Sequence, residues 1–252
     1  MKNANMLPMN PCSKGVRRLL IPVLFLLLVQ CSNDDDKGPV TGYFVKKIET
    51  APGTESIRVE FEYDDHNRMT GEKFEISGSL YNFDFNYNDA GLISSIYLNG
   101  SLYTRYEYND RGIVTKLSVT GSTPGVEDEY TLEFLEGTYT IPGPGVKVKV
   151  DGQGQLLHNE DLDMLFAHSD TPGAHRHLSP QPARYFGEIG SYTFYDLTFS
   201  QQAPATLELT GKHYEFKYTR DERDNIVKVE LFEQATGVLF LDWDITYVER
   251  SL

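Results

Sequence analysis

Phe61-Glu62-Tyr63-Asp64-Asp65-His66-Asn67-Arg68-Met69 aligns without gaps to Phe85-Asn86-Tyr87-Asn88-Asp89-Ala90-Gly91-Leu92-Ile93 and to Tyr106-Glu107-Tyr108-Asn109-Asp110-Arg111-Gly112-Ile113-Val114. A weaker copy runs from Val148 to Leu156. A fifth, three residues longer in its turn, runs from Phe216-Lys217-Tyr218 to Asp224-Asn225-Ile226-Val227. Each copy opens on apolar and polar residues in alternation, the period of a strand with one buried face. Each then passes through a short polar break into a second strand-like piece. The break closes on Asn67, Gly91, Gly112, Gly154 or Asn225. Gly and Asn tolerate positive φ, so these five positions read as the left-handed residues of hairpin turns. The Asp or Asn that opens the break can accept a bond from the backbone two residues on and tighten it.

Outward from these copies the strand pattern continues. Tyr130 to Phe134 and Val146 to Val150 flank the turn Ile141-Pro142-Gly143-Pro144-Gly145, and strand patterning returns at Tyr192 to Phe199, Leu207 to Leu209, Tyr214 to Tyr218, Ile226 to Phe232 and Val238 to Val248. Between them lies the polar stretch His158 to Arg184, read as an irregular insertion with one or two helical turns at Asp161 to Ala167. The fold class is therefore all-β: an antiparallel meander of hairpins making one large twisted sheet or partly closed barrel. A single domain is expected over 42–252, since all-β domains routinely reach about 200 to 250 residues.

Ahead of that domain, Lys14, Arg17 and Arg18 precede an unbroken apolar run from Leu19 to Val29. This is the order of a secretory signal, here 1–30, and the run is shorter than the roughly 20 residues a bilayer span needs. Leu28-Val29-Gln30-Cys31 resembles the lipobox of bacterial lipoproteins, in which the cysteine becomes the acylated first residue, although Gln30 departs from the small residue usual there. The run Ser32-Asn33-Asp34-Asp35-Asp36 resembles the acidic export tag of Bacteroidetes surface lipoproteins. Together these imply an acidic tether over 31–41, attachment to the outer membrane through Cys31, and display at the cell surface.

The first thirty residues hold four basic groups and no acid, so their removal leaves 19 basic against 37 acidic groups and moves the formal charge from -14 to -18. Such a surface repels phosphate backbones, which argues against nucleic acid as a partner. Cys12 falls in the signal and Cys31 is taken by lipid, so the domain holds no thiol for a disulfide, thiolate metal site or nucleophile.

The repeated segments also resemble the YD repeats of RHS-type proteins: aromatic, any residue, Tyr-Asp, two residues, Gly, then Arg and an aliphatic. The first copy keeps the Tyr63-Asp64 pair and Arg68 but has Asn67 in place of the glycine. The likeness is good from Tyr43 to Val119 and poor elsewhere. It implies stacked antiparallel hairpins used as scaffold or shell, and carries no activity with it.

No nucleophile elbow, phosphate-cradling loop or dinucleotide fingerprint occurs, so no cofactor is implied. His158, His168, His175 and His177 fall in the insertion with Glu160, Asp161, Asp163 and Asp170, a composition able in principle to bind zinc or position a water, though at no recognised spacing. The turn carboxylates lack the alternating ligands and distal glutamate of a calcium loop. Among Tyr81, Tyr97, Tyr103 and Trp243, alternation puts Tyr103 on the polar face of its strand, which makes it the candidate platform for a sugar. These observations describe a non-enzymatic surface lipoprotein acting in recognition or scaffolding, associated with polysaccharide or other outer-membrane proteins. A hydrolase or metal-dependent enzyme with its site in the insertion is the first alternative, and a barrel carrying a lipid or other small ligand is the second.

Overall fold

The structure, a computed structural model, describes residues 40–50, 56–120, 126–187 and 200–252. The proposed signal, Cys31, the tag Ser32 to Asp36 and the strand expected at Tyr192 to Phe199 lie outside the described residues. The described chain from Val40 to Leu252 forms one compact unit.

The unit is an antiparallel sheet in which strands pair with their neighbours in sequence, except between the eighth and ninth. The first seven strands are β1 (Thr41–Thr50), β2 (Ile57–Tyr63), β3 (Met69–Ile76), β4 (Ser79–Tyr87), β5 (Ile93–Leu98), β6 (Ser101–Tyr108) and β7 (Val114–Thr120). They are followed by β8 (Glu127–Thr131), β9 (Glu133–Leu135), β10 (Thr138–Ile141), β11 (Val146–Val150), β12 (Leu156–Asn159) and β13 (Met164–Pro172). After an excursion that includes the single-turn helix α1 (Arg184–Gly187) come β14 (Gln202–Leu209), β15 (Lys212–Arg220), β16 (Ile226–Glu233) and β17 (Leu239–Ser251). β1 pairs with β2 on one edge and with β17 on the other, so the sheet curls round into a nearly closed barrel. Its seam is Leu132, where β8, paired with β7, gives way to β9, paired with β10.

The five repeated turns share one geometry. Asp64, Asn88, Asn109, Asp151 and Asp221 each accept, through one side-chain oxygen, the N–H groups two and four residues on, at 2.8–3.1 Å. Each also accepts, through its backbone carbonyl, the N–H of the residue three on. That third residue is left-handed: Asn67 (φ 60), Gly91 (75), Gly112 (73), Gly154 (84) and Asp224 (62). The fifth assignment is thus corrected from Asn225 to Asp224. The extra residues expected in the turn lengthen β15 instead, so the turn opens at Asp221, and Asn225 bonds back to the Asp221 carboxylate at 3.0 Å. A register shift follows every one of these turns at the same place, for example between Tyr63↔Met69 and Glu62↔Gly71. This bulge resets the alternation, bringing Met69, Glu72, Phe74 and Ile76 to the same side as Phe61.

A tyrosine then ties each hairpin to the one before. The hydroxyl of Tyr87 donates to the Met69 carbonyl (2.6 Å), Tyr108 to Ile93 (2.5 Å) and Tyr247 to Ile226 (2.9 Å), in each case the first residue of the preceding hairpin's second strand. Tyr63 and Tyr218 make the equivalent bonds to Val45 and Pro204. The apolar ring thus stays in the core and its polar tip satisfies a bulged carbonyl.

Because the strands are antiparallel, turns alternate between two rims. One rim carries the five repeated turns and the connection out of β13. The opposite rim carries the two-residue turns Ser77-Gly78, Asn99-Gly100 and Thr210-Gly211, left-handed at both positions as a type I′ turn requires. The two faces of the sheet differ sharply. Val59, Phe61, Phe74, Phe83, Phe85, Leu117, Val148, Leu207, Leu231 and Trp243 turn into one continuous buried core. On the other face charges answer one another across strands, as in Lys116 to Glu129 (2.7 Å), Lys147 to Glu160 (3.0 Å) and Lys228 to Asp242 (3.0 Å).

The stretch read as an insertion divides in two. Its first half is the β12–β13 hairpin: the helical turns expected at Asp161 to Ala167 are absent, because Asn159 accepts the N–H groups of Asp161 and Leu162 and closes a tight turn into β13. Its second half, from Gly173 to α1, folds inward from the rim and places Ala174, Ala183, Tyr185 and Phe186 in the core, with His175 buried beside them. This segment is a plug.

Candidate functional site

The plug is fixed by polar contacts that would be costly to bury unpaired. The Arg184 guanidinium donates to the Glu72 carboxylate at 2.8 Å, lies 4.8 Å over the Phe85 ring and approaches the Met69 sulfur at 3.0 Å. Both charged side chains are almost wholly buried. Burial pushes the Glu72 carboxyl up from its ordinary range, and the guanidinium opposes that rise. His175 packs edge-on to Phe61, ring centres 5.3 Å apart, and burial, reinforced by Arg184, holds its imidazole well below its usual pKa. At the rim, Gln181 brackets the second turn, donating to the Gly91 carbonyl and accepting the Ile93 N–H, both at 3.4 Å. Arg176 donates to the Asp224 carbonyl and to the Asn225 side chain, each at 3.0 Å.

Between the plug and the first two repeated turns lies a cleft of about 440 Å³. Its walls include Phe44 from β1, Arg68 and Tyr87 from the turns and strand ends, His177 and Gln181 from the plug, and Leu252. Arg68 is held from two sides. Its guanidinium stacks 4.7 Å over Tyr87 and bonds the Asp64 carboxylate at 2.7–2.8 Å, while its side chain remains 38% exposed. Burial would raise the Asp64 carboxyl, but the backbone and side-chain bonds from Arg68 outweigh it and hold the group below its ordinary value. The His177 ring lies tilted against Phe44, centres 5.5 Å apart, and burial together with Arg176 lowers its pKa.

The histidines named from the sequence reach four separate environments: His158 lies on β12, His168 on β13, His175 in the core and His177 beside the cleft. Among the described residues no three His, Cys, Asp or Glu side chains are grouped to hold a metal ion. The side chains that open the repeated turns, Asp64, Asn88, Asn109, Asp151 and Asp221, are engaged by backbone N–H groups of their own turns. Tyr103 does not lie on the solvent face. A register shift between Ile96 and Tyr97, opposite Tyr103, breaks the alternation, and Tyr103 packs against the core with its ring 6.4 Å from Phe83. Trp243 is buried as well. Sequence reasoning missed the Glu72–Arg184 pair and the cleft. Glu72 shares its period with Phe74 and Ile76, a visible signal that it faces inward, but nothing in the chain announces that Arg184 comes to meet it.

No protein-family model matches the chain, and no curated protein does. Among solved structures, a porin-like protein from Bacteroides uniformis is similar at a TM-score of 0.50 and 13% identity, covering 82% of this chain and 98% of that one. A second porin-like protein, from Bacteroides vulgatus, is similar at a TM-score of 0.44 and 11% identity, covering 82% of this chain and 99% of that one. The first likeness is one of fold: an antiparallel sheet curled into a barrel.

Proposed function

We propose that this chain is a non-enzymatic lipoprotein of the outer membrane, anchored through Cys31, that presents its barrel at the cell surface for recognition or scaffolding. The observation that carries this reading is the polarity of the sheet. A barrel that spans lipid shows an apolar band outward and a polar lumen inward. Here Phe61, Phe74, Phe85, Val148, Phe216 and Leu231 turn inward and are buried, while Arg58, Glu62, Lys73, Asp84, Glu107 and Lys217 face outward. Placing that outward face in hydrocarbon would cost about 2–4 kcal/mol for each Lys or Arg near the midplane. The plug further fills one end of the interior. The barrel therefore stands in water, and the anchor supplies the membrane attachment. The porin-like description of the structural neighbour supports a bacterial envelope setting and does not bring pore formation to this chain.

Protease treatment of intact cells tests display. Digestion of an epitope placed in the outward turn Ser77-Gly78, with a periplasmic control protein left whole, is the expected result. Protection of the epitope until the outer membrane is broken would contradict surface exposure.

A further inference from the structure

The rim cleft brings apolar side chains and two guanidinium groups to one opening. We propose that it binds a small organic carboxylate whose other end is an apolar ring or chain. Three observations lead there. At about 440 Å³ the cleft lies within the range of small-molecule sites. Its walls are largely apolar, with Phe44, Met69, Ile93, Leu178 and Leu252 among them. And although the chain carries a formal charge of -14, no Asp or Glu side chain is among the described residues lining the cleft, whereas Arg68 and Arg184 both are.

The two guanidiniums have different roles. Arg184 is almost wholly buried and its charge is answered by Glu72, so it positions the cleft floor rather than offering a free cation. Arg68 is the anchor. Stacking on Tyr87 and bonding to Asp64 through Nε and Nη2 hold it rigid, and among the described residues neither bond to Asp64 engages Nη1. A guanidinium so fixed loses little freedom when it takes a second carboxylate, and its planar donors match that anion better than an ammonium would. The apolar walls then cover the rest of the ligand. A neutral ligand of the same shape would forgo the charge-assisted bonds. A simple anion such as acetate would forgo the apolar contact.

Calorimetric titration of the full-length protein with 3-phenylpropionate, 3-phenylpropionamide and acetate tests this. The acid is expected to bind at least about ten-fold more tightly than the amide or acetate, the ratio that one charge-assisted contact supplies. Arg68→Gln should abolish the preference for acid over amide, and Arg68→Lys should restore part of it. Ala90→Trp, which leaves Arg68 in place and occupies the cleft wall, should abolish binding of both probes. Equal affinity for acid and amide, no binding of the acid, or a preference that survives Arg68→Gln in a folded variant would each overturn the proposal. Those failures would leave the anchored-scaffold reading untouched, since it rests on the sheet's polarity and not on the cleft.

Discussion

At the scale of single residues, the repeated turns localise stability in a few atoms. Asn88 satisfies two backbone N–H groups through one oxygen, and Asn88→Ala should destabilise the fold by about 1 kcal/mol, with urea unfolding as the measure. Gly91→Ala should cost about 1–2 kcal/mol, because φ 75 is strained for a residue bearing Cβ. The tyrosine ties give a second prediction. Burial raises the Tyr87 hydroxyl to about 12, and raises Tyr63, Tyr108, Tyr218 and Tyr247 too. A group whose folded pKa lies above its unfolded value near 10 stabilises fully below pH 10 and loses that contribution as pH rises through the folded value. Ultraviolet titration should therefore show these five ionising only as the protein unfolds, between about pH 10 and 12 or above. Ionisation near pH 10 with the fold intact would contradict the buried ties. Four of the five left-handed residues were legible from residue type alone, because Gly and Asn advertise positive φ. Asp224 was not, because Asn225 beside it is the better left-handed residue by propensity, and the turn's opening acid, Asp221, decided the matter.

At the scale of elements, strands with strict alternation were legible and everything depending on a bulge was not. Tyr103 was misplaced because a single inserted residue exchanges the two faces of a strand. The plug was unreadable because its anchoring is non-local: Arg184 meets Glu72 across more than a hundred residues, and no periodicity encodes that meeting. Arg184→Leu should therefore destabilise by about 3–5 kcal/mol, the usual result of leaving a buried carboxylate without its partner. Glu72→Leu combined with Arg184→Met should recover most of that loss, and a double-mutant cycle by urea denaturation measures the coupling. His175 makes the plug sensitive to acid. Its folded pKa lies well below the ordinary 6.5, so the unfolded chain binds the extra proton and stability falls as pH drops below about 6.5. Glu72, raised by burial, acts in the opposite sense. The His175→Leu variant isolates the histidine: its urea midpoint should change less between pH 7.5 and 5 than that of the parent protein. An unchanged pH dependence would show that His175 is not the group responsible.

At the scale of the whole molecule, the barrel's polarity is the property on which its place in the cell depends. An apolar interior filled at one end by a plug and an outward face of paired charges suit water rather than lipid, so in the proposed function membrane attachment falls to the anchor and not to the barrel. The sequence carried this in the alternation of charged and aromatic residues along each strand. It allowed a partly closed barrel beside an open twisted sheet but did not choose between them, since the pairing of β1 with β17 joins the first and last strands through hydrogen bonds that no local pattern foretells. Detergent-free fractionation of cells expressing the Cys31→Ala variant tests the central claim most directly. The account predicts that the variant leaves the membrane pellet and runs as a folded, water-soluble protein. Retention in the membrane until detergent is added would contradict it, because the barrel itself would then be what lipid holds.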